Sequence, residues 1–230
     1  MQHYFGGEVG RSIKLGETFD RFLAGLLASS GLFLKQTFDA INVMGFGLNI
    51  MDGLELLQRK ATGEWNFKEV DLRGADLQNF DLSRLVFIGA DLSGANLSHA
   101  NLSRASLRGA NLMGANLSYA ILKQTSLYSA QIMGANLSHI NLNGANLTQA
   151  NLSYTNLYQA DLSDATLYEC NLENAWLVGA DLRDTDLHKA KFKATNLTDA
   201  NLTDAIGFND QDAIICNTMM PNGQVLLSML

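Results

Sequence analysis

Gly89-Ala90-Asp91-Leu92-Ser93-Gly94-Ala95-Asn96-Leu97-Ser98 contains one five-residue unit written twice. A leucine stands at 92 and at 97, with a small residue two places before each and Asp or Asn one place before. Extended in both directions, the unit keeps its frame from Phe67 to Leu202. The 28 positions at five-residue intervals across that span are all Leu, Phe or Ile, and only Phe67, Phe87, Ile132 and Phe192 are not Leu. A period of five matches neither the 3.6 of an α-helix nor the 2 of a strand, so the apolar residues cannot lie along one straight element. The chain must turn at every unit. If each unit forms one side of a coil and the coils stack, every leucine points to a common axis and the small residue fills the corner beside it.

The units Gly-Ala-Asp-Leu-Ser at 89–93 and Gly-Ala-Asn-Leu-Met at 109–113 resemble those of the pentapeptide-repeat proteins. The pattern there is a small residue, Asp or Asn, Leu, then two freer positions. The resemblance spans residues 65–205, about three fifths of the chain. It implies an all-β solenoid, a right-handed quadrilateral β-helix with four repeats to a coil. Such a rod would have about seven coils and a length of about 34 Å at roughly 4.8 Å per coil. The resemblance also implies a choice of functions. Some members of the family mimic duplex DNA and bind topoisomerases, and members are abundant in photosynthetic bacteria, where tails similar to the run from Cys216 to Gly223 occur.

The composition fits a chain that turns constantly while needing its backbone donors, with 20 glycines and a single proline. The two cysteines form no disulfide framework. Cys170 takes the small inward position of its repeat and is expected to be structural, while Cys216 lies beyond the last repeat. Four segments follow: an apolar extension at 1–51, a capping helix and linker at 52–64, the repeats at 65–205 and a C-terminal cap at 206–230. Asp52 is the expected N-cap of the short helix, and Trp65 and Phe67 are expected to close the first coil. Residues 210–215 are read as a helical turn, and 218–227 as a hairpin about Pro221-Asn222-Gly223.

In the extension, Phe19, Phe22, Leu23, Leu26, Leu27 and Phe33 fall on one helical stripe. The apolar run 22–34 is too short to span a bilayer of roughly 30 Å, and acidic Glu8, Glu17 and Asp20 precede it, unlike a secretory signal. The stripe is read either as a protein-packing helix or as a membrane-surface anchor. The expected location is cytoplasmic, with peripheral membrane contact on the second reading.

Residues 20 apart should stack, so the outer surface can be read in columns. One column runs Arg84, Arg104, Gln124, Gly144, Asp164, Asp184, Asp204, basic at one end and acidic at the other. His99, Tyr119 and His139 share another. Two histidines two coils apart, about 9.6 Å, cannot share a zinc ion at about 2 Å from each, so no metal site is expected there. The informative positions are those that break the rule. Val86, Ile121 and Trp176 replace Asp or Asn, and Ile88, Met113, Met133 and Val178 place apolar side chains just after the leucine. With Tyr128, Tyr158 and Tyr168 on the same faces, Val86, Ile88, Ile121, Trp176 and Val178 are the expected protein-contact residues. They await either a partner or the chain's own first 51 residues.

Convex faces of a rod offer no cleft in which three groups converge, and no phosphate loop or metal-ligand motif occurs. No catalytic residues, cofactor or metal are expected, and the chain is read as a non-enzymatic interaction or scaffold protein. As such it would dock onto a larger assembly and serve as an assembly or regulatory factor of a membrane or photosynthetic complex. The alternative is a DNA-mimicking topoisomerase binder. Residues 66–205 carry 14 acidic and 10 basic side chains, a net of only −4, which is thin for a DNA mimic. No face is uniformly basic, so nucleic acid is not an expected partner.

Overall fold

The computed structural model describes residues 50–210 and 212–227. From Asn66 onward, the residue before each inward side chain pairs in parallel with the residue 20 places ahead. The pairings form four ladders, each defining one face of the rod. Face A runs from Asn66 through Val86 and Asn146 to Ile206; face B from Asp71 to Lys191; face C from Asp76 through Trp176 to Ile214; face D from Asp81 through Ile121 to Met219.

One repeat shows how the ladders are built. The N–H of Leu72 donates to the carbonyl of Asp91 at 2.7 Å, and that of Asp91 donates to Val70 at 2.9 Å. The N–H of Gly74 reaches Ser93 at 2.9 Å, so adjacent coils are joined three times per repeat. The corner closes when the N–H of Ala75 donates to the carbonyl of Leu72 at 3.1 Å, a turn of four residues. Here the third residue of the turn takes positive φ, as in a type II turn. Every fifth residue from Glu69 to Asp204 has φ between 52° and 69°. Most are not glycine, and none is β-branched, the class for which this conformation is costliest.

The inward leucines are buried along the whole rod, with the small residues buried beside them. Full burial of each leucine is worth roughly 1.5–3 kcal/mol, gained only when coils lie above and below. Where threonine replaces alanine inside, its hydroxyl donates to a leucine carbonyl: Thr125 to Leu102 at 2.7 Å, Thr155 to Leu152 at 2.6 Å. Among the described residues no buried side-chain polar atom lacks a partner. Cys170 is fully buried at the inward position, and burial pushes its thiol pKa well up, which keeps it inert.

Helix α1, Ile50–Ala61, precedes the first coil, so Asp52 is its third residue and not its N-cap. Leu56 enters the core, and Gly53 lies so close to the coil that a Cβ there would stand 2.9 Å from the carbonyl oxygen of Asp76. Lys60 donates to the Asp81 carbonyl, and Arg59 holds Glu64 while lying over the Phe67 ring at 5.2 Å. Phe67 is buried and stacks on Phe87 at 5.8 Å, whereas Trp65 remains 60 % exposed and does not close the coil.

Beyond Leu202 the register shifts but the stacking continues. Ile214 pairs with Asn196 and Met219 with Asn201, intervals of 18 where the rod below uses 20. Ala213-Ile214-Ile215 and Thr218-Met219-Met220 therefore act as two degenerate repeats, with Thr218 fully buried in the small position. The helical turn expected at 210–215 does not form, because the backbone of Ile214 is engaged in the face C ladder. β1, Thr218–Met219, then pairs antiparallel with β2, Val225–Leu226, giving the expected hairpin.

The corners give a direct test. A Cβ at Gly109 would meet nothing within 4 Å, so substitution there probes backbone strain alone. Gly109→Val is expected to lower unfolding free energy by about 1–2 kcal/mol, and Gly109→Asn by less than about 0.5 kcal/mol, in urea denaturation.

Candidate functional site

The Asp or Asn before each leucine points outward and works locally. Its side-chain oxygen accepts the N–H two residues on, as Asp91 accepts from Ser93 at 3.0 Å, and fixes the turn. Asparagine has a second group to use. On face C the amide of Asn96 donates to Asp76 at 3.1 Å, Asn116 to Asn96 at 3.2 Å, Asn136 to Asn116 at 3.3 Å and Asn156 to Asn136 at 3.4 Å. Aspartate can only accept, so it begins such a ladder and cannot continue it. Two aspartates stack at 71/91 and at 161/181, and an arginine accompanies each step. Arg73 donates to Asp71 at 2.7 Å and lies 4.0 Å from Asp91; Arg183 donates to Asp181 at 2.6 Å. The Arg73 guanidinium holds Asp71 down to about 2, hydrogen bonds from Ser93 lower Asp91, and Arg183 lowers Asp181. The recurring carboxylates are thus structural acceptors.

The side-chain amide ladder of face C stops at Asn156, because the next rung is Trp176, whose indole has one N–H donor and no acceptor. Trp176 is 64 % exposed; one coil back are Tyr154, 64 % exposed at the corner, and Tyr158 at 42 %, Val178 follows half-buried on the same face, and Ile214 at 52 % stands two rungs ahead beyond Asn196. Along the adjoining corner His99 stacks on Tyr119 at 5.1 Å, Tyr119 on His139 at 4.6 Å, and His139 meets Tyr158 edge-on at 5.5 Å. The histidines are spent in this aromatic string, and no metal-binding group of three or more His, Cys, Asp or Glu occurs among the described residues. Trp176, Val178 and Tyr158 share face C, Val178 standing one coil ahead of Tyr158.

The other sequence-derived positions are dispersed. Val86 and Ile88 are half-buried on face A with Tyr128 and Tyr168. Both tyrosines are already engaged: Tyr128 donates to Gln149 at 2.7 Å beneath Arg108, and Tyr168 accepts from Lys189 at 2.6 Å. Ile121, 42 % exposed, stands on face D. Phe19, Phe22, Leu23, Leu26, Leu27 and Phe33 lie outside the described residues. Sequence reasoning missed Tyr154 and Ile214. Tyr154 occupies an ordinary corner position, and Ile214 comes into line with Trp176 only through the shorter final turn.

The pentapeptide-repeat family model matches residues 66–104, 90–127, 130–168 and 166–204, in eight copies. The chain belongs to the pentapeptide-repeat family. Its members form right-handed quadrilateral β-helices and are generally non-enzymatic structural or interaction proteins. Among solved pentapeptide-repeat structures, the chain is 28 % identical to HetL of the cyanobacterium Nostoc, a protein involved in heterocyst differentiation regulation; the match covers 75 % of this chain and 98 % of HetL, with a TM-score of 0.29. It is 18 % identical to QnrB1, a plasmid-mediated fluoroquinolone resistance protein, over 68 % of this chain and 92 % of that one, TM-score 0.38. A protein of the Arabidopsis thaliana thylakoid lumen is 32 % identical over 49 % of this chain and 68 % of its own, TM-score 0.26. Comparison with curated proteins gives no match. Family membership rests on the repeats. Among the described residues no helix is long and apolar enough to cross a membrane.

The paired carboxylates set an acid limit. Because their folded-state pKa values are depressed, their contribution to stability is complete above the unfolded value of about 4 and is lost as pH falls through the folded values, to about 2 for Asp71. Melting temperature is expected to decline between about pH 4 and pH 2. An Arg73→Gln/Arg183→Gln variant should melt lower at pH 7, with the gap to the wild type closing by about pH 2.

Proposed function

We propose that this pentapeptide-repeat protein is a non-enzymatic docking rod of about seven coils that presents face C to a protein partner in a larger assembly. The observation that carries the reading is Trp176, 64 % exposed at a position where the architecture calls for Asp or Asn. An asparagine there would extend the amide ladder already running from Asp76 to Asn156, so the tryptophan forgoes a local stabilising contact. A large aromatic flanked by tyrosines and aliphatic side chains, with asparagine amides at its rim, has the make-up of an interface anchor. The apolar stripe of residues 1–51 is the second attachment, to the same assembly or to a membrane surface, as befits an assembly or regulatory factor. Surface charge weighs against the topoisomerase-binding alternative. The net of −4 over the repeats is interrupted by exposed Arg84, Arg104 and Arg108, which would repel a groove built for duplex DNA.

Affinity purification of the full chain from its native cells, from soluble and membrane fractions separately, tests the reading. Trp176→Asp is expected to retain the wild-type circular dichroism and melting curve while reducing recovery of co-purifying protein about ten-fold or more. Undiminished recovery from both fractions would contradict it.

A further inference from the structure

Face A and its corner with face D carry a charge pattern that is self-complementary on reversal. The column Arg84, Arg104, Gln124, Gly144, Asp164, Asp184, Asp204 forms a continuous line: the N–H of Arg84 donates to Ser103, that of Arg104 to Lys123 and that of Asp184 to Thr203, each one coil ahead. Several charges on the rod find partners in the chain, as Arg73 does with Asp71, Arg183 with Asp181 and Lys189 with Glu169, while others such as Arg108 and Glu173 do not among the described residues; what sets this column apart is the order of its signs. Among the described residues Arg84, Arg104, Asp164, Asp184 and Asp204 make no such ion pair. Arg104 contacts only the Gln124 amide oxygen at 3.0 Å, and Asp164 only the Asn143 amide at 3.0 Å.

A two-fold axis that lies between two such faces and runs perpendicular to the rods lays each column against itself in reverse order. With Gly144 on the axis, Arg104 meets Asp184 of the second copy, Arg84 meets Asp204, and Gln124 meets Asp164. Every contact occurs twice. The same operation on the neighbouring ladder places Val86 opposite Ile206, which is 55 % exposed, and Ser126 opposite Thr166, with Asn146 on the axis. In the next column Tyr128 meets Tyr168. Gly144, lacking a side chain at the centre, lets the corners approach. A parallel pairing at this corner would set arginine on arginine and aspartate on aspartate, so the charges select the antiparallel arrangement.

We propose that face A, with its face D corner, is a self-association surface on which a second copy of this chain docks antiparallel. One face of a rod about 34 Å long is smaller than the roughly 800 Å² per partner of a standard interface. The dimer is therefore weak and reversible, and salt screens it.

Sedimentation velocity of the full chain over a concentration series tests this. The wild type is expected to show monomer–dimer exchange whose dissociation constant rises about ten-fold or more between low and high salt. Arg104→Asp and Asp184→Arg should each weaken self-association about ten-fold or more, since each sets like charges against each other twice. Both variants should keep the wild-type circular dichroism, because Arg and Asp already occupy positive φ in this column. An equimolar mixture of the two variants should recover dimer to near the wild-type level, since the exchanged positions then face each other with opposite signs. A wild type that stays monomeric, a dimer indifferent to either substitution, or a mixture that fails to pair would each overturn the proposal.

Discussion

The hydrogen bond that the N–H of each inward residue donates to the next coil is the contact on which the rest depends. It recurs at 2.6–2.9 Å from Phe67 to Leu202 wherever it forms, and it holds coil spacing to that of neighbouring strands. That spacing stacks leucine on leucine inside and asparagine on asparagine outside. No coil can bury its own leucines alone, so hydrogen bonding and burial arrive together and stability is shared along the rod. The cost is taken at the corners, where every repeat holds one residue at positive φ.

Once the spacing is fixed, the surface becomes a set of columns and chemistry follows from what stands above what. Asparagine continues a ladder, aspartate starts one, and two aspartates in succession require an arginine. A tryptophan ends the ladder and leaves a surface with no structural duty. Charges that the columns leave unpaired, like those from Arg84 to Asp204, are available to another molecule. Function on such a rod lies in departures from the repeat, and the repeat itself reveals them.

Much of this could be read from the chain because the five-residue beat is a geometric instruction: the leucine frame determined which residues face inward, and multiples of 20 determined the columns. That Trp176, Val178 and Tyr158 share one face was legible for that reason. The positive-φ corners were not, since residues as unlike as Tyr119, Lys189 and Gly94 all fill them and the demand falls on the backbone. Ile214 was hidden by the loss of two residues in the final turn, after which Ala213-Ile214-Ile215 no longer shares the frame. Trp65, expected with Phe67 to close the first coil, stays 60 % exposed at the entry to the rod, and only Phe67 is buried. The exchange between self-complementary charges needed the face as a whole, with its in-chain ion pairs already assigned.

Amide hydrogen exchange resolved by residue tests the central claim most directly. From Val86 to Leu187 four of every five N–H groups bond to backbone carbonyls, while the one just after the leucine has at most the side-chain oxygen of the preceding Asp or Asn, as Ser93 has Asp91. Protection should therefore dip every fifth residue, at 88, 93, 98 and onward, and most deeply where the residue before the leucine gives that N–H no acceptor, as at Ile88, Lys123 and Val178 after Val86, Ile121 and Trp176. Protection without that five-residue rhythm, or rapid exchange at the leucines, would contradict the account.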